Sequence, residues 1–259
     1  DGAARLLLVK PSALGDVVHA LPVLATLKRR YPEAVVDWLV EEEAAPIVLG
    51  HPLVGEVVVS GRRRWLRQLG APGGAAAALR EMAALRRRLR AGRYDAVLDL
   101  QGLLKSALYV AATGAPVRVG FAEGREGAPW VLTHRVTAPP QPVHAVRRYL
   151  ELAAAVDAGE PAWDFTIAVG AEDRERAAGL LAGLPAPRVL LHPGARWRTK
   201  LWEPGHWHAL AAALVAGGAG VIVTGGAVDG PLARAVVAGL GPAARSVAGA
   251  APLKALAAL

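Results

Sequence analysis

RLLLVKPSALGDVVHALPVLATLKRRYP, residues 5–32, decides the fold of this chain. Residues 6–9 form a short run with no polar alternate, the pattern of a strand buried on both faces. Val17, Val18, Leu21, Leu24 and Leu27 then recur at helical spacing, and that pattern stops at Tyr31-Pro32, where proline disfavours further helix. The residues between, Lys10 to Asp16, follow the carboxyl end of a strand and open a helix, which is where parallel α/β sheets collect ligands. Gly15 and Asp16 are therefore candidate site residues. The spacing is neither a P-loop nor G-x-G-x-x-G, so the usual phosphate fingerprints do not apply. By position alone Asp16 has two readings: a carboxylate complementing the helix dipole, or a base accepting a hydroxyl proton.

Outward from this stretch the same rhythm repeats. Apolar runs at 35–40, 57–59, 96–100 and 117–119 continue a first strand series, and 189–191, 221–224 and 246–248 make a second. Such runs separated by helical patterns predict an α/β chain with parallel sheets. Leu79, Met82, Leu85 and Leu89 give residues 79–90 an amphipathic helix, and Arg80, Arg86, Arg87, Arg88 and Arg90 fill other positions as a solvated face. The Gly/Ala/Pro-rich stretch 70–78 reads as a mobile loop. Helical patterns at 144–157 and 172–184 flank a crossing segment at 161–170, dividing the chain into residues 1–160 and 161–259. The second series continues with helices at 231–240 and after Pro252. It has fewer strands than a doubly wound half needs, so the second domain is expected to be truncated and to continue in further C-terminal sequence.

Composition narrows the function. Of 259 residues, 53% are hydrophobic, 20% are charged and none is Cys, which excludes a disulfide framework, a thiolate metal site and a cysteine nucleophile. Thirty Lys and Arg against 22 acidic residues give a formal charge of +8, which favours phosphates, acidic lipid head groups or nucleic acid as partners. The basic residues lack the aromatic interleaving of single-strand binders, so nucleic acid is disfavoured. Residues 209–228 carry no charge, but Gly217-Gly218, Gly220 and Gly225-Gly226 divide them, so they read as an Ala-rich helix and a buried strand, not a membrane span. The seven His show no HExxH spacing, and no metal is expected.

A second candidate constellation is HPGARWRTKLWEP, residues 192–204. Its cations Arg196, Arg198 and Lys200, with Thr199 and the turn at Gly194, stand at a strand's carboxyl end and suit a diphosphate.

Five ordered segments carry a resemblance: VKPSALGDVVHALP (9–22), YDAVLDLQGLLKSAL (94–108), RVGF (118–121), HAVRRYLELA (144–153) and HPGARWRTKLWEPGHW (192–207). Together they resemble the ADP-heptose:lipopolysaccharide heptosyltransferases of glycosyltransferase family 9, most closely the heptosyltransferase I type. The resemblance implies a GT-B arrangement of two facing Rossmann-like domains, the first (1–160) for the acceptor and the second (161–259) for the ADP-sugar. It implies inverting transfer of heptose from ADP-heptose to the Kdo of lipid A bearing Kdo, without a cofactor. Asp16 becomes the base on the acceptor hydroxyl, and Lys200 the residue that meets the departing diphosphate. Gly15, Gly194, Arg196, Thr199 and Asp229 become donor-binding. Asp229 stands in for an acidic residue that relatives carry directly after the position of Ala227. Arg62, Arg63, Arg64 and Arg118 become acceptor-binding, while Gln101 and Lys105 receive no role. The resemblance further implies a monomer on the cytoplasmic face of the inner membrane, attached peripherally to its anionic surface. Heptosyltransferase II, another nucleotide-sugar transferase, and a non-catalytic nucleotide- or nucleic-acid-binding module are the competing readings.

Overall fold

The computed structural model describes residues 3–140, 143–195 and 197–259. They divide into two units after Ala168, within the 161–170 crossing segment. In the first unit, β1 (Arg5–Val9), α1 (Leu14–Arg30), β2 (Val35–Glu41), α2 (Ala45–Val48), β3 (Val57–Ser60), α3 (Arg62–Leu69) and α4 (Ala75–Ala91) are followed by β4 (Ala96–Asp99), α5 (Leu104–Thr113), β5 (Val117–Phe121), β6 (His134–Val136) and α6 (Ala145–Ala154). All six strands are parallel, in the order β3-β2-β1-β4-β5-β6. That is the Rossmann order, whose direction reverses between β1 and β4 and opens a crevice at the carboxyl ends there.

The buried runs read from sequence are these strands, and the sheet is covered on both faces. Leu7, Val9, Leu39, Val58 and Val97 pack with Trp65, Leu85, Leu89, Tyr109 and Val110 from α3, α4 and α5. The alternate residues Leu8, Trp38 and Leu98 are buried as well, and strand alternation directs them to the opposite face.

Three local expectations change. The segment 70–78 is not wholly loop: Ala75 to Ala78 already belong to α4, alanine being the best helix former, and Ala78 is buried in the core. The basic cluster from Arg62 opens a helix of its own, α3, with Trp65 as its buried residue. Strand β6, with His134 and Arg135 exposed at the sheet edge, has no apolar run to announce it.

The second unit contains α7 (Ala171–Leu181), β7 (Arg188–Leu191), α8 (Pro204–Ala216), β8 (Gly220–Val223), α9 (Gly230–Val237), β9 (Ala244–Ser246) and α10 (Leu253–Ala258). Its three strands are parallel in the order β7-β8-β9. Val221 and Val223 pack towards Ala211, Ala233 and Val236 of α8 and α9, while Ile222 packs with Leu180, Leu184 and Val247. The uncharged stretch at 209–228 is thus the end of α8, strand β8 and the turn after it. No helix among the described residues is long and apolar enough to cross a membrane.

Candidate active site

Helix α1 begins at Leu14, three residues before its apolar periodicity shows, so Gly15 and Asp16 stand in its first turn at the reversal point of the sheet. The Asp16 carboxylate accepts the Ala13 N–H at 3.2 Å, so it closes its own helix start. The side chain remains 43% exposed, which leaves acceptor capacity towards solvent and fits both readings of the residue. A Cβ on Gly15 would meet nothing within 4 Å, so the space above the helix start is open.

Lys10, the residue after β1, was not singled out from sequence. It is 2% exposed. Its Nζ donates to the Leu100 carbonyl at 3.3 Å, lies 3.9 Å from Asp16 Oδ2 and stands 4.7 Å from the centre of the Tyr149 ring. Burial lowers its pKa to about 8, outweighing the pull of Asp16 and Asp99 in the other direction. Across the reversal point, Asp99 at the end of β4 accepts the N–H groups of Gln101 and Gly102 and the hydroxyl of Ser106. Its burial nevertheless raises its pKa. Gln101 Oε1 is buried and has no hydrogen-bond partner among the described residues.

A buried carboxylate organises the neighbouring strand ends. Glu41, the last residue of β2, receives Arg62 Nε at 2.8 Å and Lys105 Nζ at 3.3 Å, with Arg63 Nε at 3.7 Å. Lys105 also donates to Ser12 Oγ, which ties the loop after β1 to the end of β2. The acidic run at 41–43 directly after an apolar strand was the available signal for Glu41.

Four arginines carry the acceptor expectation, and the structure treats them differently. Arg62 and Arg63 stand on the first turn of α3, beside the Glu41 group. Arg63 also holds Glu43 at 2.7 Å, and about half of its side chain is exposed. Arg64 turns to Glu42 and Glu81, away from Glu41. Arg118 is not brought into this group. It lies near the amino end of β5, and its guanidinium serves the carbonyls of Val131 and Ala115.

In the second unit the candidates cluster after β7 and β8. Asp229 Oδ2 accepts the Gly226 N–H at 2.8 Å. Gly194 lies so close that a Cβ there would come within 2.6–2.7 Å of the Asp229 carboxylate. His192 Nδ1 pairs with Thr224 Oγ1 at 3.0 Å, joining the two strand ends. Thr199 and Lys200 are exposed on a short helical turn after this group. Arg196 lies outside the described residues. Downstream, His206 stacks on Trp202 and His208 Nδ1 faces the Val236 carbonyl, so each has a packing role.

Two parallel α/β units, each with polar groups gathered at its strands' carboxyl ends, place the chain in the class of Rossmann-like proteins. Comparison with known proteins makes the assignment specific. The sequence profile of Glycosyltransferase family 9 (heptosyltransferase) matches residues 82–259, and the chain belongs to that family. It is 37% identical over 250 residues to lipopolysaccharide heptosyltransferase 1 of Pseudomonas aeruginosa, covering 93% of this chain and 66% of that protein. Against lipopolysaccharide heptosyltransferase 2 of Escherichia coli the identity is 26% over 246 residues, 91% of this chain and 67% of that protein. The solved E. coli heptosyltransferase WaaC with ADP-2-deoxy-2-fluoro heptose superposes with a TM-score of 0.78 at 29% identity, over 98% of this chain and 79% of that one. The chain thus spans just under two thirds of the length of the heptosyltransferase 1 relative.

Proposed function

We propose that this chain acts as an inverting glycosyltransferase that moves heptose from ADP-heptose to the Kdo of lipid A bearing Kdo. The observation that carries the reading is Asp16, a partly exposed carboxylate in the first turn of α1 at the sheet's reversal point, held by the Ala13 N–H beside buried Lys10. The higher identity to heptosyltransferase 1 than to heptosyltransferase 2 supports the first heptose addition over the second.

In this mechanism Asp16 takes the proton of the acceptor hydroxyl as its oxygen bonds to the anomeric carbon of the heptose. The bond from that carbon to the diphosphate oxygen breaks with its electron pair on ADP, and configuration inverts. Lys200, with Thr199 and Arg196, meets the charge that develops on the leaving diphosphate. Gly194 and the turn at Gly225-Gly226 keep the backbone low where Asp229 sits, and Asp229 is the candidate for the ribose. Gly15 leaves open space for the sugar. On the acceptor side Arg63 is the foremost of the candidates, because an acceptor phosphate or carboxylate could replace Glu43 on its exposed guanidinium. Arg62 and Arg64 contribute positive potential, and Arg118 has the weakest support. The enzyme works as a monomer without a metal or other cofactor, peripherally attached to the cytoplasmic face of the inner membrane.

The test is D16N in the full-length protein. Transfer from ADP-heptose to a Kdo-bearing acceptor should fall by ~10²–10⁴, the usual contribution of a general base, while ADP affinity stays within about twofold. Retention of more than about a tenth of the wild-type rate would remove Asp16 from the role of base. ADP binding without any transfer by the wild-type protein would favour the non-catalytic reading.

A further inference from the structure

Helix α4 does not bury the whole of its apolar stripe. Leu85 and Leu89 sit in the core, but Leu79 is 58% exposed and Met82 is exposed as well. They open onto a groove of about 850 Å³ between α3, α4 and α5, within the range of about 300–1,000 Å³ usual for small-ligand sites. Leu66 of α3 and Leu104 and Leu108 of α5 complete its lips, Leu108 being 62% exposed. Trp65 and Tyr109 lie in its floor. Five large apolar side chains left open around one groove exceed the scattered exposure normal for a soluble surface.

The uncharged polar groups of the lining and its one acid are already engaged. Trp65 Nε1 donates to Glu81 at 2.7 Å, and the Tyr109 hydroxyl pairs with Ser60 at 2.6 Å. The one acid, Glu126, accepts the Leu104 N–H. What the groove offers a visitor is apolar surface and a rim of three cations, Arg62, Arg86 and Lys105. Arg86 has no carboxylate partner among the described residues. A sugar or a polar peptide would find nothing to pair with, whereas an amphiphile with an anionic head and a hydrocarbon tail matches both features. Arg62 and Lys105 also belong to the Glu41 group, so the groove's rim runs into the carboxyl edge that holds Asp16.

We propose that the α3–α4–α5 groove is a membrane-docking site that takes an acyl chain of an anionic bilayer lipid, with the lipid's head group on Arg62, Arg86 and Lys105. The proposal deepens the reading above and rests on it in one respect, that the acceptor is held in a bilayer. Docking through this face would present the carboxyl edge of the first unit to lipids in the same leaflet.

The experiment uses the full-length protein with vesicles of phosphatidylcholine containing phosphatidylglycerol, and with pure phosphatidylcholine vesicles as the control. Wild type should cosediment with the anionic vesicles and not with the neutral ones. L79S/M82S replaces two exposed side chains without touching the core, and it should weaken vesicle binding about tenfold for each side chain at an unchanged melting temperature. These 259 residues contain no Cys, so L108C and V228C, with any Cys elsewhere in the full-length protein replaced by Ser, can each carry a single environment-sensitive dye. The dye at 108 should report hydrocarbon and be quenched by acyl-brominated lipid, and the dye at 228 in the second unit should not. Wild-type affinity in L79S/M82S, or a dye at 108 that stays in water on bound vesicles, would overturn the proposal. So would concentration-dependent dimerisation that L79S/M82S abolishes, since the groove would then seat a second copy. Transfer to a water-soluble acceptor without acyl chains should be unchanged in L79S/M82S. Failure of that transfer in wild type would count against the reaction alone, leaving the vesicle result to decide the docking.

Discussion

Lys10→Met should make the first unit more stable and the enzyme slower. The Lys10 ammonium sits in the floor of the crevice, where burial drops its pKa from an ordinary 10.5 to about 8 despite Asp16 and Asp99. Lys105 and Arg148 push it the same way as burial, and the Tyr149 ring caps it from α6. A drop of about 2.5 units at about 1.4 kcal/mol per unit corresponds to about 3 kcal/mol of folding free energy. The sign follows from where the proton binds. Between about pH 8 and 10.5 the unfolded chain holds a proton on Lys10 that the folded chain has released. Wild-type stability therefore rises with pH across that window, and below pH 8 the cost of the buried charge is present in full.

Methionine fills similar space without charge, so at pH 7 K10M should be more stable by up to about 3 kcal/mol and should lose the rise between pH 8 and 10.5. Urea titrations of both proteins at pH 7 and pH 10, followed by tryptophan fluorescence and far-UV circular dichroism, measure both quantities. The rate of heptose transfer should meanwhile fall at least tenfold, because the cation 3.9 Å from Asp16 is gone. A variant less stable than wild type at pH 7, or two proteins with the same pH dependence, would refute the account of Lys10 as a charge held against its burial cost. Unchanged turnover would refute its place in the site. A residue that lowers stability where a ligand is handled is the usual mark of function set against folding.

Three other substitutions test separate parts of the site. Glu41→Gln removes the buried partner of Arg62 and Lys105 and should cost about 3–5 kcal/mol, as breaking a buried ion pair does; a melting temperature within a degree of wild type would show that the cations find water instead. Gly194→Ala should displace Asp229 and weaken ADP binding about tenfold by calorimetry, since the new Cβ would lie 2.6–2.7 Å from its carboxylate; unchanged affinity would place Asp229 outside the donor site. Arg63→Ala should raise the acceptor KM and leave the ADP-heptose KM alone, and the opposite pattern would reverse the roles of the two units.

The strands and their order of appearance were legible because a strand buried on both faces leaves an apolar run, continuous at 6–9 and broken only by Asp37 at 35–40. Strand β6 was not, since an edge strand of His134, Arg135 and Val136 buries little and carries no run. The helix start at Leu14 was missed by three residues because its first turn is the part that leaves the core and faces the crevice. Asp16 could be picked out from its place between strand and helix, Gly194 from the turn after a strand, and Asp229 only as a substitute where the family pattern has its acidic residue one position earlier. The partners of these residues could not. Glu41 looks like the head of a solvated acidic run, and only the pairing of β2 with β1 and β3 shows that its carboxylate is enclosed. The leucines of α4 read as a core stripe, yet half of that stripe lines an open groove, because periodicity marks an apolar face without saying what covers it.

The same registers explain how so few strand-end residues make one site. Lys10 N–H bonds to the Leu39 carbonyl, Glu41 N–H to that of Pro11 and Leu100 N–H to that of Val9, so the chain leaves β1, β2 and β4 along one row. Glu41 in turn stands opposite Ser60 at the end of β3. Alternation then decides which side chains turn inward, and a slip of one residue at β2 would exchange Glu41 with a neighbour facing the other side. Lys105, which sequence left without a role, closes this row: from the first turn of α5 it reaches both Ser12 after β1 and Glu41 at the end of β2. It thus fixes the loop that leads into Gly15 and Asp16 against the strand that anchors Arg62. The Asp16 carboxylate, the buried cation beside it and the basic rim of the apolar groove are in this way held by one set of strand ends, and positioning any of them depends on the parallel order of the sheet.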